Sequence, residues 1–244
     1  MSGILEGVLN IEKIVRFRFR FQNLLLWLFL YIVVSPFLTA IPNANLVVQF
    51  LLTAVLFSAV YTIQRESHIM WPALALLALS TTLIWCNALG LLNISGKAID
   101  SLLVFYLGLL VFSFSRYIFQ AKQIDLELIS AALCLYLLLA LLWGSIFMLL
   151  EEFIPGSFAG AGLVPAGSIR EEFHYFNYLS FITITTLGYG DITPQTPPAM
   201  ALCQIEAILG QFFTAVLVAR LVGVQVAQSF TGKKESRRKM NFRP

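Results

Sequence analysis

The chain has 244 residues, of which 59% are hydrophobic and 12% are charged, and its formal net charge is +3. Soluble domains carry about 25% charged residues and about 45–50% apolar ones. The composition therefore excludes a soluble enzyme, a nucleic-acid-binding protein and a disordered chain. It favours an integral membrane protein built of helices.

Charge is absent from several long stretches of the chain. A run of 44 uncharged residues begins after Arg20 and a run of 30 begins after Glu66. Shorter runs of 15 and 23 residues follow Asp100 and Glu127. A helix needs about 20 apolar residues to cross the hydrocarbon core of a bilayer. The first run is therefore long enough for two crossings, and the second for one crossing with its loops.

These runs predict an all-α membrane protein with six transmembrane helices. In chain order the helices cover about 24–40, 46–63, 69–87, 100–119, 126–150 and 198–227. Between the fifth and sixth, residues 168–191 are apolar and aromatic but too short to cross and return. Ser168-Ile169-Arg170-Glu171 is a capping-box pattern, which predicts a helix running to about Thr185. We expect this helix to be re-entrant and to be followed by extended chain, which is allowed where protein or water surrounds it.

The positions of Lys and Arg predict the orientation of these helices. With the N-terminus in the cytoplasm, 14 basic residues lie inside or at the inner edge, and only Lys97 and Arg170 lie outside. This split follows the positive-inside rule and agrees with an even number of spans. Both termini are thus expected in the cytoplasm. The first 20 residues lack a cleavable signal sequence, which favours a prokaryotic plasma (inner) membrane.

The segment Thr185-Thr186-Leu187-Gly188-Tyr189-Gly190-Asp191 carries the chemistry of the chain. A cation that gives up its water needs other oxygen atoms in its place, and extended backbone can aim successive carbonyls at one axis. Alternating glycines permit the conformations that this requires. The Thr186 hydroxyl can add a further oxygen. One chain supplies one strand of such a filter, so a closed ring requires four identical subunits.

The string Thr186-Leu187-Gly188-Tyr189-Gly190 resembles the potassium-channel filter T-V-G-Y-G, with leucine in place of valine, and the following Asp191 also matches the family pattern. The order of helix, pore helix, filter and helix over about 126–228 is similar to the pore module of that family. The resemblance implies a potassium-selective channel, tetrameric around a central pore. K+ would be bound through Thr186, Leu187, Gly188 and Tyr189, with no other cofactor and no catalysis.

The resemblance also implies residues that support the filter. Tyr178 lies eight residues before Thr186, where aromatic side chains of the family brace the filter. The next position, often aromatic in the family, is Leu179, so this cuff would be thinner. We also expect Thr185 and Asp191 to support the filter. Four outer carboxylates could raise the cation concentration at the outer mouth, although solvated loop charges with a helix cap are the plainer interpretation: Glu151, Glu152, Glu171 and Glu172.

Glu206 is the one charged residue deep inside a predicted span. We expect it behind the filter, near Thr183 or Thr185 or at the fifth helix. There a protonated or hydrogen-bonded carboxyl would stabilise the conducting form of the filter. The alternative is a satisfied structural carboxyl with no role in conduction.

The sixth helix carries a candidate hinge and a candidate gate. Gly210 lies 19 residues after Asp191, where the family often has a glycine hinge; the alternative is a small residue that permits close helix packing. One stripe of this helix would face the cavity and the inner gate, unless it only packs against another helix: Gln211, Thr214, Val218 and Val222.

The remaining segments are expected to flank this pore module. Residues 1–23 form a basic cytoplasmic arm, 24–125 a peripheral four-helix bundle, and 229–244 a basic tail with no room for an appended ligand-binding domain. The fourth helix carries one arginine, Arg116, at its inner end, which predicts little voltage dependence. Anionic lipids are expected partners of the basic ends: Arg16, Arg18, Arg20, Lys233, Lys234, Arg237 and Arg238.

Three other functions stay open at this stage. A poorly selective monovalent cation channel would share the architecture. A non-conducting membrane sensor or binding protein could retain the channel scaffold. An intramembrane enzyme using Glu206 is disfavoured, because no second in-membrane carboxylate or histidine has a suitable sequence context.

Overall fold

The computed structural model describes residues 20–38, 45–63, 67–89, 91, 96–121, 125–160 and 169–241. Within these residues the chain forms seven α-helices and one two-stranded antiparallel sheet. In chain order the elements are α1 (Arg20–Leu38), α2 (Asn45–Ile63), α3 (Ser67–Ala88), α4 (Gly96–Gln120), α5 (Leu126–Phe153), β1 (Phe158–Gly160), α6 (Ile169–Ile184), β2 (Ile192–Pro194) and α7 (Pro197–Asn241).

Helices occupy all six positions at which a span was predicted, and α6 occupies the position of the predicted pore helix. Among the described residues, four helices are long and apolar enough to cross a membrane: α1, α4, α5 and the Pro197–Arg220 part of α7. The apolar parts of α2 and α3 are shorter, at Leu46–Thr62 and Trp71–Asn87. The chain is thus a helical membrane protein with one short pair of antiparallel strands.

Two helices begin four residues earlier than the sequence predicted. Helix α1 starts at Arg20 rather than at residue 24, because Phe21 is part of the core and packs on the rings of Phe114 and Tyr117, with centroid distances of 5.5 Å and 5.0 Å. The proposed arm over 1–23 therefore includes the first turn of a helix. Helix α4 starts at Gly96, four residues before the predicted start.

The C-terminal helix is much longer than predicted. The sequence suggested an end near residue 227 and a separate tail over 229–244, but α7 is continuous for 45 residues to Asn241. The physical reason lies in composition: Lys, Arg and Glu are good helix formers, and no proline interrupts this stretch before Pro244. At about 1.5 Å per residue the helix is about 68 Å long, twice the thickness of a bilayer core.

The first core cluster contains residues of all five helices from α1 to α5. It buries Leu28 and Tyr31 of α1, Tyr106 and Leu110 of α4, and Leu135 of α5. Two polar contacts also connect these helices. The Tyr106 hydroxyl donates to the Leu56 carbonyl at 2.6 Å, and the Cys134 thiol contacts the Phe21 carbonyl at 3.3 Å. Helices α1 and α4 therefore pack directly on α5 of their own chain.

The second core cluster surrounds α6. A chain of aromatic rings runs through Trp143, Phe147, Phe158 and Phe176, with successive centroids 6.0, 5.3 and 5.6 Å apart. Gly144 of α5 has no room for a Cβ, because the backbone of Asn177 lies against it. Glycine there permits α6 to approach α5 closely. The second cluster thus positions the end of α6 from which residues 185–191 extend.

Candidate functional site

The chain leaves α6 through a helix-terminating turn centred on Thr186. The Leu187 amide donates to the Ile182 carbonyl at 2.9 Å, and the Thr186 amide donates to the Thr183 carbonyl at 2.9 Å. These two bonds form the Schellman pattern, in which one residue takes a left-handed conformation. That residue is Thr186, with φ of 60°. A β-branched residue there is strained, since glycine is usual at this position.

Positive φ then recurs at every second residue. Thr186, Gly188 and Gly190 have φ of 60°, 55° and 75°, whereas no positive φ is found at Leu187 or Tyr189. A regular strand points successive carbonyls to opposite sides. Alternating the handedness of the residues instead brings successive main-chain groups to one side of the chain. Residues 186–190 therefore have the backbone pattern that a row of converging carbonyl oxygens requires.

A hydrogen bond connects α6 to the chain just beyond these residues. The Tyr178 hydroxyl donates to Oδ2 of Asp191 at 2.6 Å, and Oδ1 of Asp191 accepts from the Ile192 amide at 3.1 Å. The bond from Tyr178 lowers the pKa of Asp191 and raises the pKa of Tyr178 to about 12. Both are residues that the sequence suggested as filter support. The structure adds that they contact each other.

The chain between α5 and strand β1 is held by Glu151, one of the four carboxylates that the sequence suggested as outer-mouth or solvated loop charges. Glu151, in the last turn of α5, accepts from the amides of Gly156 at 2.7 Å and Phe158 at 3.0 Å. Strand β1 then pairs with β2, Phe158 opposite Pro194 and Gly160 opposite Ile192. Glu151 thus supports, through this strand pair, the segment that follows Asp191. In the sequence, the feature that could have indicated this role was the position of Glu151 at the end of a long apolar helix.

Glu152 is not an outer-mouth charge. Its side chain is buried, lies against Gly96 and forms a hydrogen bond with Asp100. It therefore connects the beginning of α4 to the end of α5. The physical reason is helical geometry, because adjacent residues of α5 point about 100° apart. Glu151 consequently contacts the chain at the start of β1, while Glu152 contacts the beginning of α4. The side chains of Glu171 and Glu172 lie outside the described residues.

Glu206 is fully buried and lies near Tyr136 of α5, which agrees with one of the expected positions, but its hydrogen-bond partner is neither of the expected threonines. The Ser180 hydroxyl of α6 contacts both Oε1 of Glu206 and the carbonyl of Ala140 in α5, the latter at 2.7 Å. The threonines suggested from the sequence bond to their own helix instead: Thr183 donates to Leu179, and Thr185 donates to Phe181. Ser180 itself was missed, because nothing in its local sequence distinguishes it from other serines in apolar helices.

Gly210 lies at a close approach between α7 and the end of α6. A Cβ at this position would overlap with the carbonyl oxygen and the side chain of Ile184. The same carbonyl accepts a hydrogen bond from the Tyr136 hydroxyl at 3.3 Å. The geometry therefore shows the packing role that was weighed as the alternative at this position. The hinge stays a prediction.

The comparisons with known proteins bear on this part of the chain. Residues 132–226 match the model of an ion-channel family. The match covers about two-fifths of the chain and includes α6, the segment 185–191 and the apolar part of α7. Comparisons with curated proteins and with solved structures give no significant match.

Residues 132–226, called the ion-channel segment below because of this match, also contain the predicted cavity stripe. Gln211, Thr214, Val218 and Val222 are all exposed on the surface of the single chain. The Thr214 hydroxyl donates to the Gly210 carbonyl at 3.0 Å, so the hydroxyl hydrogen is bonded within α7. Within the described part of the chain, no group of three or more His, Cys, Asp and Glu side chains could hold a metal ion.

The basic ends are described only in part. Arg16 and Arg18 lie outside the described residues. Arg20 belongs to α1, with its guanidinium 5.2 Å from the centre of the Tyr61 ring. The other four basic positions lie on α7, and their side chains are outside the described part: Lys233, Lys234, Arg237 and Arg238.

An arginine of the ion-channel segment contacts the peripheral helices. Arg220 of α7 donates from Nη2 to the carbonyls of Phe119 at 2.9 Å and Ala121 at 3.0 Å. These carbonyls belong to the C-terminal end of α4, where a cation is favourable. Sequence reasoning assigned Arg220 only to the inner membrane edge, because its partner is about 100 residues away in the chain.

Proposed function

We propose that the protein is a potassium-selective channel that conducts K+ passively through four copies of residues 186–190. The observation that carries the proposal is the alternation of left-handed residues at Thr186, Gly188 and Gly190 within a T-x-G-Y-G sequence. This sequence lies inside a segment that matches an ion-channel family.

The chemistry of the filter follows from the need to replace the water around the ion. The carbonyl oxygens of Thr186, Leu187, Gly188 and Tyr189, with the Thr186 hydroxyl, would surround a desolvated cation. The C-terminal end of α6 carries a partial negative charge that favours a cation nearby. Conduction on this basis needs no covalent chemistry.

A tetramer is supported by what the single chain leaves uncovered. Only 11% of the Pro197–Arg220 window of α7 is buried within the chain, against 56% for α5. In the filter, Leu187 and Tyr189 are 56% and 68% exposed. Three further subunits around one axis would cover both α7 and the filter strand, and cyclic symmetry closes such an assembly.

The proposed topology has six spans with both termini in the cytoplasm. Four helices satisfy the length and hydropathy of a span. Helices α2 and α3 have 19 and 22 residues, or about 28 and 33 Å, which is close to the thickness of the hydrocarbon core. The distribution of Lys and Arg supports the orientation, and the basic ends would contact anionic headgroups.

The proposed peripheral bundle, α1 to α4, does not sense voltage. Between Asp100 and Arg116, α4 has no charged residue, so the membrane field has no charge to move in that stretch. Five residues connect α4 to α5, and the two helices pack on each other. The bundle is therefore expected beside the pore module of its own subunit.

Ion flux in liposomes tests the proposal. Purified protein should conduct K+ in preference to Na+, as measured by the bi-ionic reversal potential, and barium should block the current. Gly188→Ala places a side chain on a left-handed residue, which costs about 1–2 kcal/mol per subunit. We expect at least about a tenfold loss of K+ flux from this variant.

Gly108→Ala is the matched control, because α4 has open space around Gly108. It should conduct like the wild type. Equal permeability to K+ and Na+ would favour the poorly selective channel. Absence of flux from folded tetramers would favour the non-conducting sensor or binding protein. A steep conductance–voltage relation would contradict the assignment of the bundle.

A further inference from the structure

A buried polar cluster joins the three helices of the ion-channel segment. Glu206 of α7 and Ser180 of α6 are both fully buried, and the carbonyl of Ala140 belongs to α5. Ser180 contacts both of the other groups. It lies six residues before Thr186, so its position helps to determine where the filter strand begins.

The hydrogen atoms of this cluster can be counted. A serine hydroxyl has one hydrogen to donate, and a main-chain carbonyl can only accept. The contact between Ser180 and Ala140, at 2.7 Å, therefore uses the hydrogen of the serine. The contact between Ser180 and Glu206 then needs a second hydrogen, and the carboxyl group is its only available source. An ionised carboxylate cannot donate.

The surroundings of the Glu206 carboxyl group also favour its protonated, neutral form. Oε2 of Glu206 is buried and has no hydrogen-bond partner. The titratable groups near it are Tyr136 of α5 and Cys203 of its own helix. Among the described residues no cation pairs with it. An unpaired buried charge is very costly, whereas a neutral carbonyl oxygen without a partner is tolerated at far lower cost.

We propose that Glu206 is held as a neutral carboxylic acid that donates its hydrogen to Ser180, and that this chain of two hydrogen bonds clamps α6 between α5 and α7. Glu206 is thus a positioning residue for the filter. When Glu206 loses its proton to hydroxide, the single hydrogen of Ser180 is left for two acceptors, the Ala140 carbonyl and the Glu206 carboxylate. A negative charge then also lies in an apolar site. The helices must then separate or admit water, and conduction falls.

The protonation state is tested by infrared spectroscopy of the purified protein in lipid. At neutral pH the wild type should show the C=O stretching band of a buried carboxylic acid, and Glu206→Gln should lack it. Ser180→Ala should retain the band at a shifted frequency, because the acid loses its acceptor. A wild-type spectrum without the band overturns the proposal. This measurement does not depend on conduction.

The positioning role, which rests on the proposed function, is tested by K+ flux as the pH is raised. Above a midpoint the wild-type flux should fall about tenfold per pH unit, as expected when one proton is released. Glu206→Gln keeps a neutral donor for Ser180 and should conduct without the alkaline fall. Glu127→Gln, an equivalent change in the first turn of α5, should keep the wild-type profile.

The two neighbouring titratable groups require their own controls. Cys203→Ser and Tyr136→Phe should keep the alkaline fall of the wild type. An alkaline fall that persists in Glu206→Gln overturns the positioning role, and disappearance of the fall in either control would assign it to that group instead. If the acid band is present but no variant conducts ions, the proposed function fails while the protonation state of Glu206 stands.

Discussion

Thr186 has a left-handed backbone conformation that favours glycine, and it has a side-chain hydroxyl that glycine lacks. Its left-handed conformation terminates α6 and starts the alternation of left-handed residues over 186–190. Glycine would adopt this conformation without strain, but it has no hydroxyl. A strained residue is kept where the surrounding structure and a function both require it. The hydroxyl oxygen that Thr186 would contribute to a bound cation supplies that function in the proposed channel.

The hydrogen bond between Tyr178 and Asp191 predicts how K+ flux responds to external acid. The Tyr178 hydroxyl lowers the pKa of Asp191. A lowered pKa means that the bond is fully present above the ordinary range of aspartate, about pH 4, and is lost as the pH falls through the lowered value. Tyr178→Phe removes the bond, so the pKa of Asp191 should rise and acid inhibition of K+ flux should begin at higher pH.

Flux measured against the pH of the outer solution checks this shift. Tyr175→Phe removes a hydroxyl from the same helix, three residues away, and should leave the acid limb of the profile where it is in the wild type. An acid limb in Tyr178→Phe that coincides with the wild type would show that the bond to Asp191 does not support the filter.

At the scale of elements, α6 is held by close approaches on two sides. Gly144 permits contact with the backbone of Asn177, and Gly210 permits contact with Ile184. Both contacts involve main-chain atoms, which cannot move aside as a flexible side chain can. Small residues at such positions allow helices in a membrane to pack closely. Residues 186–190 therefore start from a helix with little freedom to shift.

Gly210→Ala should disrupt this packing. The added methyl group meets the Ile184 carbonyl, so α6 and α7 must separate, at a cost of about 1–3 kcal/mol for an overpacked interior. We expect a lower melting temperature of the tetramer and a reduced K+ flux. Gly108→Ala, in open space on α4, is the control and should melt at or above the wild-type temperature. Normal melting with altered gating alone would support the hinge instead.

At the scale of the whole molecule, Arg220 joins α7 to the C-terminal end of α4. Its side chain bonds two carbonyls at the end of α4, and its guanidinium lies 5.3 Å from the centre of the Phe119 ring. These contacts lie toward the predicted cytoplasmic end of the pore. Motion of α4 relative to α5 would thus be transmitted directly to α7.

Removal of this connection is predicted to loosen both helix ends. Arg220→Gln loses a charged donor at a partly exposed site, which amounts to about 1 kcal/mol. Amide hydrogen exchange should therefore become about fivefold faster around residues 116–121. Arg220→Lys keeps the charge but not the planar group, so its exchange rate should be intermediate. Unchanged exchange in Arg220→Gln would mean that α4 and α7 are held together elsewhere.

Much of this architecture could be predicted from the sequence, because its causes are local. Apolar runs of membrane-spanning length predict helices, and all of them are present. The capping-box pattern at Ser168 predicts the start of α6, and Gly188 and Gly190 occur where the backbone needs positive φ. The extent of α7 was underestimated, because a change from apolar to charged residues indicates the edge of a membrane and not the end of a helix.

The sequence by itself determined where the helices lie, which residues could form the filter and how few charges enter the membrane, since each depends on neighbours along the chain. Only the tertiary structure decided which groups meet. Glu206 contacts Ser180, 26 residues away, and Arg220 bonds the end of α4, about 100 residues away. Hydropathy and motif spacing contain no information about such pairs, because the contacts arise only when separate helices pack side by side.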